Sequence, residues 1–319
     1  MYRIPSLRIC ITGECNLACQ YCPIHGDNYL LKNSNITKEK YLQIIDKLHN
    51  RGVQAFSITG GEPLLNPDLT FSIIKHIQRY PDLNYVKLNT NGILVNKYLD
   101  EIVNLGFSEI KISLDTLNPK TFKYVSQKDH KFIDLIKLGI RSLVKNNIKV
   151  RLQTVCGKYN IDELKDIIRF CEEEKIDIKI FDLTYYKESK AKDKDFWKEN
   201  YISPVEILKM LQKNYEEISM REAVGEYGHP MKIFKTKKGT NILFRDSSIS
   251  SYYCDECKNC ENYPCQDGLC NLTLTTDGRL KICRNDGINY GVSDLEIDRV
   301  LDMFKSSKKL FRGESDFNI

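Results

Sequence analysis

Three cysteines stand within eight residues near the start of the chain. Cys15, Cys19 and Cys22 have the spacing C-x3-C-x2-C. Three thiolates this close can ligate three irons of one [4Fe–4S] cube, and no fourth protein ligand is placed to take the last iron. An iron left open can bind a small molecule, as a catalytic metal site keeps one position free. The spacing therefore predicts a cofactor site with chemistry at its open iron.

Disulfides and zinc are the two alternatives to iron at this loop. The chain has twelve cysteines and no N-terminal apolar run typical of a secretory signal, so we expect a cytoplasmic, reducing environment. Clustered cysteines in such an environment favour metal ligands over disulfides. Zinc is the stronger of the two alternatives, but it usually takes four protein ligands in paired C-x2-C units, so iron is favoured here.

A second group of six cysteines occupies residues 254–283. Its members are Cys254, Cys257, Cys260, Cys265, Cys270 and Cys283. The last two flank an alternating segment whose turn is Asp277-Gly278, which predicts a β-hairpin with a thiol at each end. Such a hairpin brings both thiols to one metal centre, and a zinc ribbon remains the alternative to iron.

The first two thirds of the chain alternate between strand and helix patterns. Strands are predicted at 7–12, 53–59, 84–89, 108–114, 148–155 and 177–184, and helices near 37–51, 68–79, 96–105, 118–126, 131–146, 161–174 and 203–214. Six successive β–α units predict parallel strands with helices outside, in either a doubly wound sheet or a barrel. Residues 187–202 are densely charged without apolar periodicity and predict a surface loop.

Polar residues follow the strands where parallel strands of a β/α barrel gather their chemistry. The residues are Cys15, Cys19 and Cys22 after the first strand, Gly60, Gly61 and Glu62 after the second, Asn89 and Asn91 at the third, Ser113 at the fourth and Gln153 at the fifth. Paired glycines let a backbone carbonyl approach a ligand closely. Ordinary turn capping explains each Asn or Ser equally well when it is taken alone.

Taken together, these motifs resemble the radical S-adenosylmethionine (SAM) superfamily. The resemblance implies a partial (β/α)6 barrel, a [4Fe–4S] cluster whose open iron binds SAM, and SAM contacts from Gly60, Gly61 and Glu62. Tyr21 stands at the position of the aromatic residue that touches adenine in that family. Matching strand ends in the family contact the ribose or carboxylate, which implies binding roles for Asn89, Asn91, Ser113 and Gln153.

The C-terminal hairpin resembles the SPASM and twitch domains that carry auxiliary iron–sulfur clusters. We therefore expect a barrel over 1–215 and a linker with an auxiliary-cluster domain over 216–319. Six cysteines suffice for one auxiliary [4Fe–4S] cluster and are too few for two. Its expected ligands are Cys265, Cys270, Cys283 and one of Cys254, Cys257 and Cys260.

Net charge bears on the choice of partner. The charge of +5 from 48 basic and 43 acidic residues is too mild to point to nucleic acid, and no stretch approaches the roughly 20 apolar residues of a membrane span. A non-catalytic zinc module for nucleic acid leaves the strand-end motifs unexplained. We therefore expect neither a nucleic-acid nor a membrane partner.

The substrate is the least specified property of the sequence. The chain resembles radical SAM peptide epimerases of the YydG/EpeE type, which implies a ribosomal peptide substrate, L-to-D inversion after Cα hydrogen abstraction, and an electron donor such as flavodoxin or ferredoxin. In these enzymes a cysteine thiol returns hydrogen, and Ala223 stands where we expect that cysteine, as a native alanine or as a substitution.

Two other radical SAM activities remain as alternatives. One is formation of a thioether crosslink in a peptide. The other is GTP cyclisation for molybdenum cofactor, whose enzymes have a similar C-terminal hairpin. This chain departs from the cyclase pattern because its hairpin is one residue shorter, no cysteine stands three residues before Cys270, and the sequence ends without Gly-Gly.

Overall fold

The structure is a computed structural model that describes residues 4–22, 36–185, 194–221, 227, 229–261, 263–283 and 289–311. The helices are α1 (Lys38–His49), α2 (Pro67–Ile77), α3 (Leu99–Leu105), α4 (Pro119–Ser126), α5 (Phe132–Lys145), α6 (Leu164–Glu173), α7 (Lys194–Asn200), α8 (Pro204–Asn214) and α9 (Asp294–Ser306). The strands are β1 (Leu7–Cys10), β2 (Ala55–Thr59), β3 (Tyr85–Thr90), β4 (Glu109–Ser113), β5 (Val150–Cys156), β6 (Asp177–Asp182), β7 (Glu216–Arg221), β8 (Met231–Lys235), β9 (Asn241–Arg245), β10 (Ser250–Tyr253), β11 (Leu272–Leu274), β12 (Leu280–Lys281) and β13 (Lys308–Phe311).

One sheet of eleven strands organises the molecule, in the order β12-β11-β1-β2-β3-β4-β5-β6-β9-β8-β7. Strands β1 to β6 are parallel neighbours in chain order, as the six predicted β–α units require. The predicted α/β fold, a partial (β/α)6 barrel followed by a cysteine-rich region, is confirmed.

Alternation along each strand separates the core from the barrel interior. On β3, Val86 and Leu88 are buried and belong to the apolar core, whereas Lys87 and Asn89 point to the other face. Helices cover the apolar face, and their amphipathic sequences supply the facing residues. Polar side chains are thereby collected on the inner face of the sheet, where a ligand can meet them.

Helix starts follow the capping chemistry of the sequence. Thr37 accepts a hydrogen bond from the Lys40 amide at the start of α1, as predicted. Asn66 caps α2 in the same way, with Pro67 as the first helical residue. These caps fix where each helix begins and therefore how long the preceding strand-end loop can be.

Two parts of the fold differ from the sequence expectation. Part of the predicted loop at 187–202 is helix α7, where Trp197 donates a hydrogen bond to the Leu183 carbonyl. The sheet also continues past residue 215: β9 pairs in parallel with β6, and β8 and β7 follow antiparallel. The division at residue 215 remains a prediction, since these strands join the barrel sheet across it.

The predicted hairpin is confirmed as β11 and β12, with Gly278 at φ +80° in the turn. Strand β11 pairs in parallel with β1, so the hairpin lies beside the strand that leads into the first cysteine loop. Ser6 strengthens this junction, because its hydroxyl donates to the Asn271 side-chain oxygen at 2.7 Å. Within the described residues, no helix is both long and apolar enough to cross a membrane.

Candidate active site

The first cysteine loop follows β1 at the carboxyl edge of the parallel sheet. Its amides at Ala18 and Gln20 donate to the carbonyls of Ser126 and Val125, at 3.0 and 2.9 Å, at the end of α4. Leu17 is buried and anchors the loop in the core. Cys15, Cys19 and Cys22 are half-buried, so the loop presents three thiols on a fixed backbone.

The Cys15 sulfur accepts hydrogen bonds that suit a thiolate. The Leu17 amide lies 3.4 Å from it and the Asn91 side-chain nitrogen 3.7 Å from it. Asn91 also donates to the Asn16 side-chain oxygen at 2.6 Å. Three closely spaced thiols with amide donors are a donor set that fits a [4Fe–4S] cluster. The sequence-predicted residue Asn91 thus touches the cluster loop directly.

Gly60 and Gly61 bring the loop after β2 against the cysteine loop. The Gly61 amide donates a hydrogen bond to the backbone carbonyl of Thr12 at 2.7 Å, and the Glu62 amide donates one to the backbone carbonyl of Glu14 at 2.8 Å. A Cβ at Gly61 would overlap the Glu14 carbonyl, and Gly60 has φ +134°, where a side chain is strained. The glycine pair is therefore required for the close approach of these two loops.

Glu62 is completely buried, and its carboxylate serves the protein itself. It accepts hydrogen bonds from the Leu64 amide, the Asn91 amide and the Thr90 hydroxyl. Burial raises the pKa of Glu62 to about 7, although these three donors lower it. Its contact with SAM remains a prediction. The observed role of the side chain is to tie the loops after β2 and β3 together.

Tyr21 is held by Asp115, a contact that sequence reasoning did not predict. Burial raises the pKa of Tyr21 well above its ordinary value, so the phenol stays protonated and donates to Asp115 Oδ2 at 2.5 Å. The other carboxylate oxygen accepts from the Val155 amide at 2.8 Å. Burial raises the pKa of Asp115 to about 6, so this carboxylate is ionised at neutral pH. The cluster loop is thereby fixed to the ends of β4 and β5.

The remaining predicted SAM residues lie along the same edge. Ser113, the last residue of β4, is exposed and pairs in register with Gln153 in the middle of β5. Asn89 donates its side-chain amide to the Ile58 carbonyl at 2.9 Å, so part of its capacity is used within the protein. The sheet thus brings the predicted residues to one edge, and their contacts with SAM remain predictions.

The second cysteine group is gathered around the hairpin. The sulfurs of Cys254 and Cys257 lie 3.6 Å apart. Interaction with Cys254, and more weakly with Cys283, raises the pKa of Cys257. Burial raises the pKa of Cys265 to about 11, and the Gly268 amide donates to its sulfur at 3.1 Å. Cys270 lies close to Asp267, whose carbonyl accepts from the thiol at 3.3 Å.

The contacts among these cysteines bear on which of them is the fourth ligand of the auxiliary cluster. Among the three candidates, Cys254 and Cys257 form a pair and Cys257 interacts with Cys283, whereas Cys260 acts on Cys265 and donates its amide to the Cys257 carbonyl at 3.0 Å. The ligand set remains a prediction. Ala223 lies outside the described residues.

Charged residues on the inner face of the barrel were also missed from the sequence. They are Arg8, Lys87, Glu109, Lys111, Arg151, Lys179 and Arg245. A signal was available for Arg8, Lys87, Lys111, Arg151 and Lys179, because each stands between two apolar residues in a strand, as in Ile110-Lys111-Ile112. In a parallel strand covered by helices, such alternation marks an inward polar position.

Comparison with known proteins places this site in a family. The sequence profile of the radical SAM superfamily matches residues 9–171, just over half of the chain. GTP 3′,8-cyclase of Peptoclostridium acidaminophilum is 29% identical over 300 residues, which are 93% of this chain and 83% of that protein. Molybdenum cofactor biosynthesis protein 1 of Homo sapiens is 29% identical over 95% of this chain and 46% of that protein.

Solved structures share the fold at low sequence identity. Streptococcus suis SuiB bound to S-adenosylmethionine has a TM-score of 0.65 at 15% identity, covering 95% of this chain and 66% of that chain. The enzyme anSMEcpe with bound AdoMet and Kp18Cys peptide has a TM-score of 0.61 at 15% identity, covering 94% of this chain and 81% of that chain. With the three-cysteine loop and the profile match, these findings show that the chain belongs to the radical SAM superfamily, whose cofactors are a [4Fe–4S] cluster and SAM.

Proposed function

We propose that this enzyme acts on a ribosomally made peptide and inverts an L-residue to a D-residue. The observation that carries the proposal is the direction of β7. Because β7 is antiparallel to β8, β8 is antiparallel to β9 and β9 is parallel to β6, β7 runs in the same direction as β1–β6. Strand β7 therefore ends at the carboxyl edge of the sheet, two residues before position 223.

Position 223 is where an epimerase of this type is expected to carry its hydrogen-donating cysteine. The thiols outside the two cysteine groups are poorly suited to donate this hydrogen. Cys10, Cys156 and Cys171 are each fully buried, and burial raises the pKa of Cys156 and Cys171. A donor has to reach the substrate face opposite the abstracted hydrogen, since proximity decides which face is quenched. These three buried thiols are therefore poorly suited to that task.

The roles of the chain's own residues follow from the site. When bound, the cluster and SAM supply a 5′-deoxyadenosyl radical that removes a hydrogen atom from the substrate. Cys15, Cys19 and Cys22 would hold the cluster, and the loops at 60–62 and 89–91 would orient SAM beside it. Tyr21 and Asp115 keep the cluster loop in register with the strand ends. With alanine at 223, this chain would lack the thiol that completes inversion.

GTP 3′,8-cyclisation is the second candidate, and sequence identity favours it. The curated relatives quoted above match over more than nine tenths of this chain, and one of them is named for this reaction. The C-terminal site departs from the cyclase pattern, however. Asp267 stands three residues before Cys270, where that pattern has a cysteine, and its carboxylate lies 3.6 Å from the Arg245 guanidinium. A cyclase-type cluster would lack one thiolate here.

One experiment separates the two candidates. Anaerobically reconstituted protein, with alanine or cysteine at position 223, is incubated in D2O with SAM, reductant and either GTP or candidate peptides encoded beside the gene. Epimerisation predicts an inverted residue carrying one deuterium, formed only with cysteine at 223. A cyclised nucleotide formed equally by both proteins would overturn the proposal in favour of the cyclase, and loss of hydrogen from the peptide would indicate crosslinking.

The proposal extends to compartment and redox partner. An oxygen-sensitive cluster and twelve cysteines suit the reducing cytoplasm. Flavodoxin or ferredoxin is the proposed electron source. Either protein can be tested by replacing the chemical reductant in the same assay.

A further inference from the structure

Six cationic side chains of the described residues face the interior of the barrel. They are Arg8 on β1, Lys87 on β3, Lys111 on β4, Arg151 on β5, Lys179 on β6 and Arg245 on β9. Their shared face follows from the alternation of the strands and from their mutual electrostatic effects. Lys111, for example, is repelled by Lys87, Arg8 and Arg151 and attracted by the Glu109 carboxylate, which lies beyond ion-pair distance.

Several of these cations have carboxylate partners. Glu109 lies 3.4 Å from Lys87 and 2.6 Å from Arg151. Arg245 pairs with Asp267 at 3.6 Å. The Glu109 carboxylate therefore balances the cations on β3 and β5. The Asp267 carboxylate balances the cation on β9, close to the hairpin.

Lys111 and Lys179 have no such partner. Among the described residues, no carboxylate lies within ion-pair distance of either amine; Lys179 instead lies 4.7 Å from the centre of the Phe181 ring. Asn89 and Arg151 flank Lys111 in the sheet, and Gln153 and Leu243 flank Lys179. From the hairpin, Cys270 is the group of opposite sign that acts on Lys179.

Two half-buried amines without a carboxylate in ion-pair contact are costly unless an anion joins them. An ammonium that is removed from water without a partner loses several kcal/mol of solvation. Burial, followed by the charge of Lys87, lowers the pKa of Lys111 to about 7, and burial lowers the pKa of Lys179 well below its ordinary value. A bound anion would supply the missing charge and hold both protons.

We propose that Lys111 and Lys179 form a subsite for a carboxylate of the peptide substrate. The inference rests on the proposed peptide function and adds the substrate class, a peptide with an acidic residue close to the one that reacts. The register supports this placement. Lys179 pairs with Gln153, and Gln153 pairs with Ser113, so the amine lies level with two of the predicted SAM residues. A carboxylate held there would position the neighbouring residue beneath the cofactor.

The test compares two short peptides that differ only in charge. The probes are acetyl-Gly-Glu-Ile-Glu-Gly-amide and the same peptide with glutamine at both acidic positions, titrated calorimetrically into SAM-loaded holoenzyme. The variants are Lys111→Gln, Lys179→Gln and the charge-conserving Lys111→Arg. Lys145→Gln is the matched control, because Lys145 is exposed at the end of α5, outside the barrel.

We expect the acidic peptide to bind the wild type about tenfold or more tightly than the neutral peptide, as hydrogen bonds to a charged group predict. Each glutamine variant should abolish that preference, whereas Lys111→Arg and Lys145→Gln should retain it. Equal binding of the two peptides, or binding of neither, would overturn the subsite.

A parallel titration with GTP separates this inference from the proposed function. If GTP binds through Lys111 and Lys179 while the acidic peptide shows no preference, the cations serve phosphate and the carboxylate subsite is wrong. If the deuterium assay shows epimerisation but the acidic peptide has no advantage, the subsite fails while the proposed function stands.

Discussion

The hydrogen bond from Tyr21 to Asp115 is the contact that most directly fixes the cofactor loop. Tyr21→Phe would leave Asp115 Oδ2 without this donor in a buried site. A hydrogen bond to a charged group contributes about 1.5–3 kcal/mol, so we expect at least a tenfold weaker affinity for SAM with unchanged iron content. Equilibrium dialysis with SAM and an iron assay would measure the two effects.

Tyr215→Phe provides the control for that prediction. Tyr215 lies at the end of α8, and its hydroxyl has no hydrogen-bond partner within the described part of the chain. The Tyr215→Phe variant should therefore bind SAM as the wild type does. An unchanged SAM affinity in Tyr21→Phe would show that Asp115 does not position the loop.

Glu62 makes stability depend on pH in a defined direction. Its pKa is raised from an ordinary 4.5 to about 7, so its contribution to folding is fully present below pH 4.5 and is lost as pH rises through 7. Relative to Glu62→Gln, which does not titrate, the wild type should lose about 2 kcal/mol of unfolding free energy between pH 5.5 and 8. Chemical denaturation of both proteins at the two pH values measures this, and a constant difference would contradict it.

At the scale of elements, the loops after β1 and β2 are hydrogen-bonded to each other, and this close approach is possible because Gly60 and Gly61 have no side chains. Gly61→Ala would drive a Cβ into the Glu14 carbonyl and separate the loops. We expect the variant to lose most of its iron during reconstitution, measured by the charge-transfer absorbance of the cluster. Gly106→Ala is the control. Gly106 has φ +62° but open space around it, so alanine there adds only about 1 kcal/mol of backbone strain. Full cluster incorporation in Gly61→Ala would contradict the steric argument.

The elements also show what sequence could and could not predict. Strands β1–β6 were predictable because each carries recurring apolar residues and is followed by a helix, and neighbours in the chain are neighbours in the sheet. Strand β9 pairs with β6, and the Asn241 amide donates to Asp177, 64 positions earlier in the chain. Nothing local in Asn241–Arg245 identifies that partner. The extension of the sheet by β7–β9 was therefore missed.

The residues of the site also divide into those that the sequence could identify and those whose role only the structure shows. Cys15, Gly61 and Asn91 could be found because their types and spacing match a known motif. Asp115 could not be assigned its observed role, because an Asp after a strand is equally suited to capping the next helix. Only the packing of the cluster loop against β4 shows that it accepts from Tyr21. The pairing of Asp267 with Arg245 depends on long-range contacts in the same way.

At the scale of the whole molecule, β1 couples the two cysteine groups. Its carboxyl end leads into the first cysteine loop. One of its edges pairs with β11 of the hairpin and the other with β2. The two cysteine groups are therefore connected through one strand. A change at the hairpin should be transmitted to the first cluster through β1, because β11 and the Ser6–Asn271 bond hold that strand in place.

Removing each cysteine group in turn tests this organisation. The wild type should bind about eight irons per chain, four in each cluster. With Cys15, Cys19 and Cys22 replaced by alanine, we expect about four irons and no SAM cleavage. With Cys270 and Cys283 replaced, about four irons should also remain, but SAM cleavage should persist at a reduced rate, because the SAM motifs are intact while β1 has lost part of its support. Cys171→Ala, on the buried face of α6, should keep both properties. Eight irons in the hairpin variant would show that the hairpin holds no cluster, whereas zinc released from the wild type at that site would assign it as a zinc ribbon.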